Sequence, residues 1–94
     1  MAEKNEGRGG NRRFPQGWKK EGKFLVKKHK FKNFIEAVGF INIIATIAEG
    51  LDHHPDIYLE NYNQLTVKTT THDKGRLTEQ DFELASKIDK AFSK

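Results

Sequence analysis

Residues 32–51 read KNFIEAVGFINIIATIAEGL, and the interpretation of this run decides the fold. Phe34, Val38, Ile41, Ala45 and Ala48 recur at helical spacing and define one apolar stripe. Phe40, Ile43 and Ile47 define a second. A helix apolar on more than one side is buried on more than one side. In so small a domain one face can cover a sheet, and the other is expected to meet a partner subunit. Gly50 and Pro55 bracket the helix end.

On the N-terminal side, Trp18–Lys20 and 23–31 read as a β-hairpin around Glu21-Gly22, with Phe24, Leu25, Val26 and Phe31 as its apolar members. On the C-terminal side, 57–62 and 65–71 read as two further strands joined by Asn61-Tyr62-Asn63-Gln64. Leu65, Val67 and Thr69 alternate with Thr66, Lys68 and Thr70, the pattern of a half-buried strand. Asp73, Lys74 and Gly75 break it. Thr78-Glu79-Gln80-Asp81 then resembles a capping box opening a helix, followed by Phe82, Ala85, Ile88, Asp89 and Phe92. The order β-β-α-β-β-α predicts an α+β fold, a four-stranded antiparallel sheet with helices packed on one face.

Ninety-four residues make one small domain. Residues 1–13, rich in Gly and Arg, are expected to be a flexible tail ahead of a domain spanning 14–94. The absence of cysteine excludes disulfides and thiolate chemistry. Met1-Ala2-Glu3-Lys4 lacks an apolar signal core, and no run is read as long enough to span a bilayer, so a cytoplasmic protein without membrane contact is expected. The net charge is +4, with Lys19, Lys20, Lys23, Lys27, Lys28, Lys30 and Lys32 crowded together. This strip is read as a solvated strand edge, where lysine discourages unwanted pairing, rather than as a nucleic-acid surface.

Three of the four histidines fall in one short stretch: His53 and His54 before Pro55, then His72. Imidazole titrates near neutrality and serves as acid, base or metal ligand. Three readings are open on these residues alone. The imidazoles hold zinc, although no HExxH spacing is present. They are structural, with His54 filling a turn and His72 ending a strand. Or they form a metal-free acid–base site for a polar heterocycle. Glu49, four residues before His53, would share its face if the helix persists. Pro55 forces His54 out of helical geometry, so the neighbours point apart. Asp81 is explained by capping alone unless the histidines draw it in.

The ordered run Glu49-Gly-Leu-Asp-His53-His54-Pro55, an aromatic at Tyr62, Thr71-His72-Asp73 and Gly75-Arg-Leu77-Thr78-Glu-Gln-Asp81 resembles the pterin-4a-carbinolamine dehydratase family. Phe31-Lys-Asn-Phe34 and the run from Gly39 to Glu49 add to the likeness, which covers Trp18 to the C-terminus. The family's usual helix ahead of Trp18 has no counterpart in this sequence. The resemblance implies a hydro-lyase that dehydrates 4a-hydroxytetrahydropterin to quinonoid dihydropterin in tetrahydrobiopterin recycling, with neither metal nor organic cofactor. It implies His53 and His72 as the acid/base pair. His54 would bind and orient the pterin, with Glu49, Thr70, Thr71 and Asp81 in support. It implies a homodimer or homotetramer. The alternative it carries is a protein-interaction module, of the kind that assists dimerisation of a transcription factor.

Overall fold

Gly22 takes a positive φ of 61°, and the chain reverses between Glu21 and Phe24, which are paired in register. Glycine adopts this conformation without steric cost, so the punctuation read in the sequence is a two-residue hairpin turn. The computed structural model describes residues 14–92. The tail expected over 1–13 lies outside them.

Strands β1 (Trp18–Glu21) and β2 (Phe24–Lys30) form this hairpin. Helix α1 (Phe34–Leu51) follows, then β3 (Asp56–Glu60), β4 (Gln64–Thr69) and helix α2 (Glu79–Phe92). The sheet order is β1-β2-β4-β3 and every neighbouring pair is antiparallel. Both helices contribute to the core over one face of the sheet, as the α+β reading predicts. That core joins Trp18, Leu25, Leu65 and Val67 of the sheet to Phe40, Ile44 and Ala48 of α1 and to Leu84, Ala85 and Ile88 of α2. Ile44 is fully buried, and its truncation to alanine would cost about 2–5 kcal/mol.

The strand ends differ from expectation for local reasons. β3 stops at Glu60 because Asn61 and Tyr62 both adopt left-handed backbone, with φ of 48° and 56°. Asn63 is buried behind them. Its Nδ2 donates to the Phe31 carbonyl at 2.9 Å while the Phe31 N–H donates back to its carbonyl at 2.8 Å. β4 stops at Thr69, and Thr71 retains only an isolated bridge to Arg76.

Helix α1 begins two residues later than expected. Asn33 is its cap, and its Oδ1 accepts the Glu36 N–H at 2.9 Å. The Asn-x-x-Glu spacing around residues 33–36 carried that signal. Its two stripes are real but differently composed. The core face is Ala37, Phe40, Ile44 and Ala48, flanked by partly buried Ile41, Ile47 and Leu51. Phe34, Ile35, Val38 and Ile43 lie outward. The sequence assigned Phe34 and Val38 to one stripe with Ala48, whereas the structure separates them. By length and composition α1 is apolar enough to cross a membrane, with mean hydropathy 1.6 over 18 residues, contrary to the expectation that no run is. Its apolarity comes from serving two faces at once: the core and an outward patch.

Trp18 and Lys27 fasten the first hairpin to α2. The indole N–H donates to Asp89 Oδ1 at 2.8 Å, and the Lys27 ammonium reaches the same oxygen at 3.1 Å.

Candidate active site

The end of α1 determines where the histidines go. Asp52 is left-handed, with φ 53° and ψ 42°. Its N–H donates to the Glu49 carbonyl at 3.3 Å, and the His53 N–H donates to the Ala48 carbonyl at 3.1 Å. This is the Schellman arrangement, with aspartate at the position that glycine usually takes. Gly50, expected to mark the end, lies inside the helix. The reversal turns His53 inward, where it is 9% exposed, and leaves His54 outward.

The consequence is an exchange of partners. Glu49 does not share a face with His53. It pairs with His54, Oε2 to Nε2 at 2.5 Å, and both side chains are exposed. His53 instead reaches Asp81 on the first turn of α2, Nε2 to Oδ1 at 2.7 Å.

Asp81 is wholly buried. Its Oδ1 receives His53 and the Thr69 hydroxyl, the latter at 2.7 Å. Its Oδ2 receives the Thr71 hydroxyl at 2.8 Å and the Thr78 N–H at 2.9 Å. A carboxylate offers about four lone-pair positions, and here each meets a donor. Burial alone would raise the pKa of this carboxyl. The hydrogen bonds from His53, Thr69, Thr78 and Thr71 outweigh it and hold the pKa below the ordinary 3.8. Asp81 is therefore a pure acceptor, and the proton between it and His53 sits on Nε2. That bond engages Nε2 and fixes the orientation of the imidazole.

The hydroxyls follow in sequence. The Thr71 proton goes to Asp81, so at the 2.6 Å contact between Thr71 and Thr78 hydroxyls, Thr78 is the donor. Thr78 Oγ1 in turn accepts the Gln80 N–H at 3.3 Å. The capping box read from the sequence is thus present, and its aspartate also anchors a histidine.

The remaining candidates stand apart from this network. Thr70 is buried, and its hydroxyl donates to the Lys23 carbonyl at 2.6 Å. His72 is exposed in the turn after β4, closed by the Gly75 N–H bonding to the Thr71 carbonyl at 2.9 Å. Its ring meets Phe24 edge-on. No group of three or more histidine, cysteine or acidic side chains that could hold a metal ion occurs among the described residues.

Three residues of the constellation were not singled out as site residues in the sequence. Thr69 was legible as a polar residue in the inward column of Leu65 and Val67, and Thr78 as a helix cap. Phe24 gave no signal, because its contact with His72 spans 48 residues of chain and depends on the sheet.

The sequence profile described as Pterin 4 alpha carbinolamine dehydratase matches residues 4–91. The chain belongs to that family. A relative from Picosynechococcus sp., carrying the provisional name pterin-4-alpha-carbinolamine dehydratase, is 50% identical over 76 residues, 81% of this chain and 80% of the relative. Another of the same provisional name, from Sulfolobus acidocaldarius, is 48% identical over 80% of this chain and 81% of the relative. A transcriptional coactivator/pterin dehydratase from Brucella melitensis has a similar structure, with TM-score 0.74 and 36% identity over 80% of this chain and 81% of that one. A pterin dehydratase-like protein described as a RuBisCO assembly factor in the alpha-carboxysome shares the fold, with TM-score 0.62 at 16% identity, over 78% of this chain and 83% of that one.

Proposed function

We propose that this chain dehydrates a 4a-hydroxytetrahydropterin to the quinonoid dihydropterin by histidine acid–base catalysis, in the cytoplasm, in support of tetrahydrobiopterin recycling. The observation that carries the reading is the buried Asp81 with its four donors, one of them His53. A capping carboxylate needs the Thr78 N–H but has no need of an imidazole. An enzyme that moves protons needs the imidazole held in one tautomer with a fixed negative charge behind it.

The reaction removes the N5 proton and the C4a hydroxyl. The N5–H bonding electrons form the C4a=N5 bond as the C4a–O bond breaks. Hydroxide leaves poorly, so it departs as water after receiving a proton. His53 accepts the N5 proton at Nδ1, and Asp81 stabilises the resulting imidazolium through Nε2. His72 delivers a proton to the leaving oxygen. His54, steadied by Glu49, binds the pterin edge. Thr71 holds Asp81, and Thr70 holds the end of β4 from which His72 extends.

The test is turnover of a 4a-hydroxytetrahydropterin by the whole chain, with and without a chelator, beside His72→Ala. Loss of most turnover in the variant with its circular dichroism unchanged would support the assignment. Full activity in His72→Ala would sink the role given to that residue, and chelator sensitivity would revive a metal.

The outward face of α1 favours a second property on the same fold, association with a protein partner. Ile35 is 79% exposed and Phe34 54%. A second copy of the chain, as homodimer or homotetramer, is the occupant proposed. An interaction module without catalysis is the alternative should turnover be absent.

A further inference from the structure

His72 differs from the other two site histidines in how it is held. His53 and His54 each meet a carboxylate. His72 has no hydrogen-bond partner among the described side chains, and its ring contact is with Phe24, centroids 6.4 Å apart and planes at 74°. An exposed imidazole without a partner samples several rotamers, and only some aim it at a substrate.

Phe24 is itself fixed from several directions. It opens β2 directly after the Gly22 turn, paired with Glu21. The Thr70 hydroxyl grips the Lys23 carbonyl at 2.6 Å, tying that turn to the chain two residues before His72. The Lys68 ammonium lies over the Phe24 ring, 4.6 Å from its centroid. Side chains alternate along a strand, so Phe24 lies on the sheet face opposite Leu25 and the helices. Its ring is absent from the core cluster under the helices and lies on the same face as buried Val26, and its aromatic and cation–π contacts among the described residues are with His72 and Lys68.

We infer that Phe24 is the positioning residue for His72, holding the imidazole edge-on in one rotamer, with Lys68 holding Phe24. The inference rests on the dehydratase reading above. It assigns the first hairpin a part in the reaction beyond the backbone pairing of Leu25 with Thr69, one of the donors to Asp81.

The experiment is steady-state kinetics on Phe24→Leu, Phe24→Tyr, His72→Ala and the double variant Phe24→Leu/His72→Ala, with ¹H NMR of the His72 ring protons. Phe24→Leu should lower kcat about tenfold, because small misplacements of a reacting group are costly. KM should change by less than about twofold. Phe24→Tyr, which keeps the ring, should restore kcat. Adding Phe24→Leu to His72→Ala should change nothing further, since a residue acting through His72 has no effect without it. Wild-type kcat in Phe24→Leu, or an equal further loss in the His72→Ala background, would overturn the inference. Absence of turnover in the wild type would sink the dehydratase reading instead. The ring-proton shifts then decide separately: a change on Phe24→Leu supports the positioning contact, and unchanged shifts refute it.

Discussion

The carboxylate of Asp81, on the first turn of α2, stands 2.7 Å from Nε2 of His53, which follows the C-terminus of α1. The two residues are 28 positions apart, and the bond between them joins the ends of both helices at one rim of the sheet. Asp81→Asn retains the shape but not the acceptor capacity, because its amide NH₂ faces donors on one side. Turnover is expected to fall about 10²-fold, within the range that a positioned imidazole contributes. Stability should fall by about 1–3 kcal/mol as a buried donor loses its partner. Paired assays of dehydration and urea midpoint check both, and a variant with wild-type values for each would refute the network's role.

The same carboxylate predicts an acid limit. Its folded pKa lies below 3.8, so the folded state holds fewer protons than the unfolded state around and below that pH. The stability it contributes is fully present above the unfolded value and is lost as pH falls through the folded one. Urea midpoints of the wild type should therefore decline in this acid range, and those of Asp81→Asn should decline less.

His29 predicts a separate slope nearer neutrality. Its pKa is lowered from 6.5, first by the partial desolvation of a ring that stays largely exposed and then by the Lys27 charge. Its ring packs against Phe31 and Phe92, centroids 4.6 and 4.5 Å away. The folded state favours neutral imidazole, so stability falls as pH drops from about 6.5 through the lower folded value. His29→Phe keeps the aromatic packing and should flatten this slope, a difference visible in melting temperatures across mildly acidic buffers.

Much of this site was legible in the sequence, and the illegible part has physical reasons. The element order, both hairpins and the Thr78–Asp81 cap are local patterns, set by turn residues and periodicity. The pairing of Glu49 with His54 rather than His53 was not legible. It depends on Asp52 adopting the left-handed conformation, one residue before the histidines, and aspartate announces this less clearly than glycine would. The membership of the α1 stripes was misread because, around the 18-residue helix, no polar residue separates Phe34 and Val38 from Ala48. Phe34 and Ala48 are both apolar, and only the packed sheet shows which one it covers.

Glu49 and His54 form an exposed pair, so their stability contribution is small. Glu49→Gln should change the unfolding free energy by less than about 1 kcal/mol. A functional effect is expected instead, because the His54 ring loses its carboxylate. KM for the pterin should rise while kcat changes little, the signature of weakened ground-state binding. A proportional fall in kcat with constant KM would place His54 in the chemical step instead.

The outward patch of α1 yields the remaining prediction. Phe34, Ile35, Val38, Gly39 and Asn42 line a shallow hollow of ≈ 350 Å³, and beyond the adjoining residues and the backbone of the helix itself nothing lies within 4 Å of where a Gly39 side chain would begin. The surface is open to close approach, and exposed apolar patches of this kind mark association sites. A charge placed there affects association without reaching the core, since Ile35 is 79% exposed while Ile44, on the buried face, is fully covered. Ile35→Glu should therefore shift concentration-dependent sedimentation toward the monomer with little change in helical content. Ile44→Glu should unfold the domain. If Ile35→Glu sediments as the wild type does at every concentration, the second copy does not sit on this face.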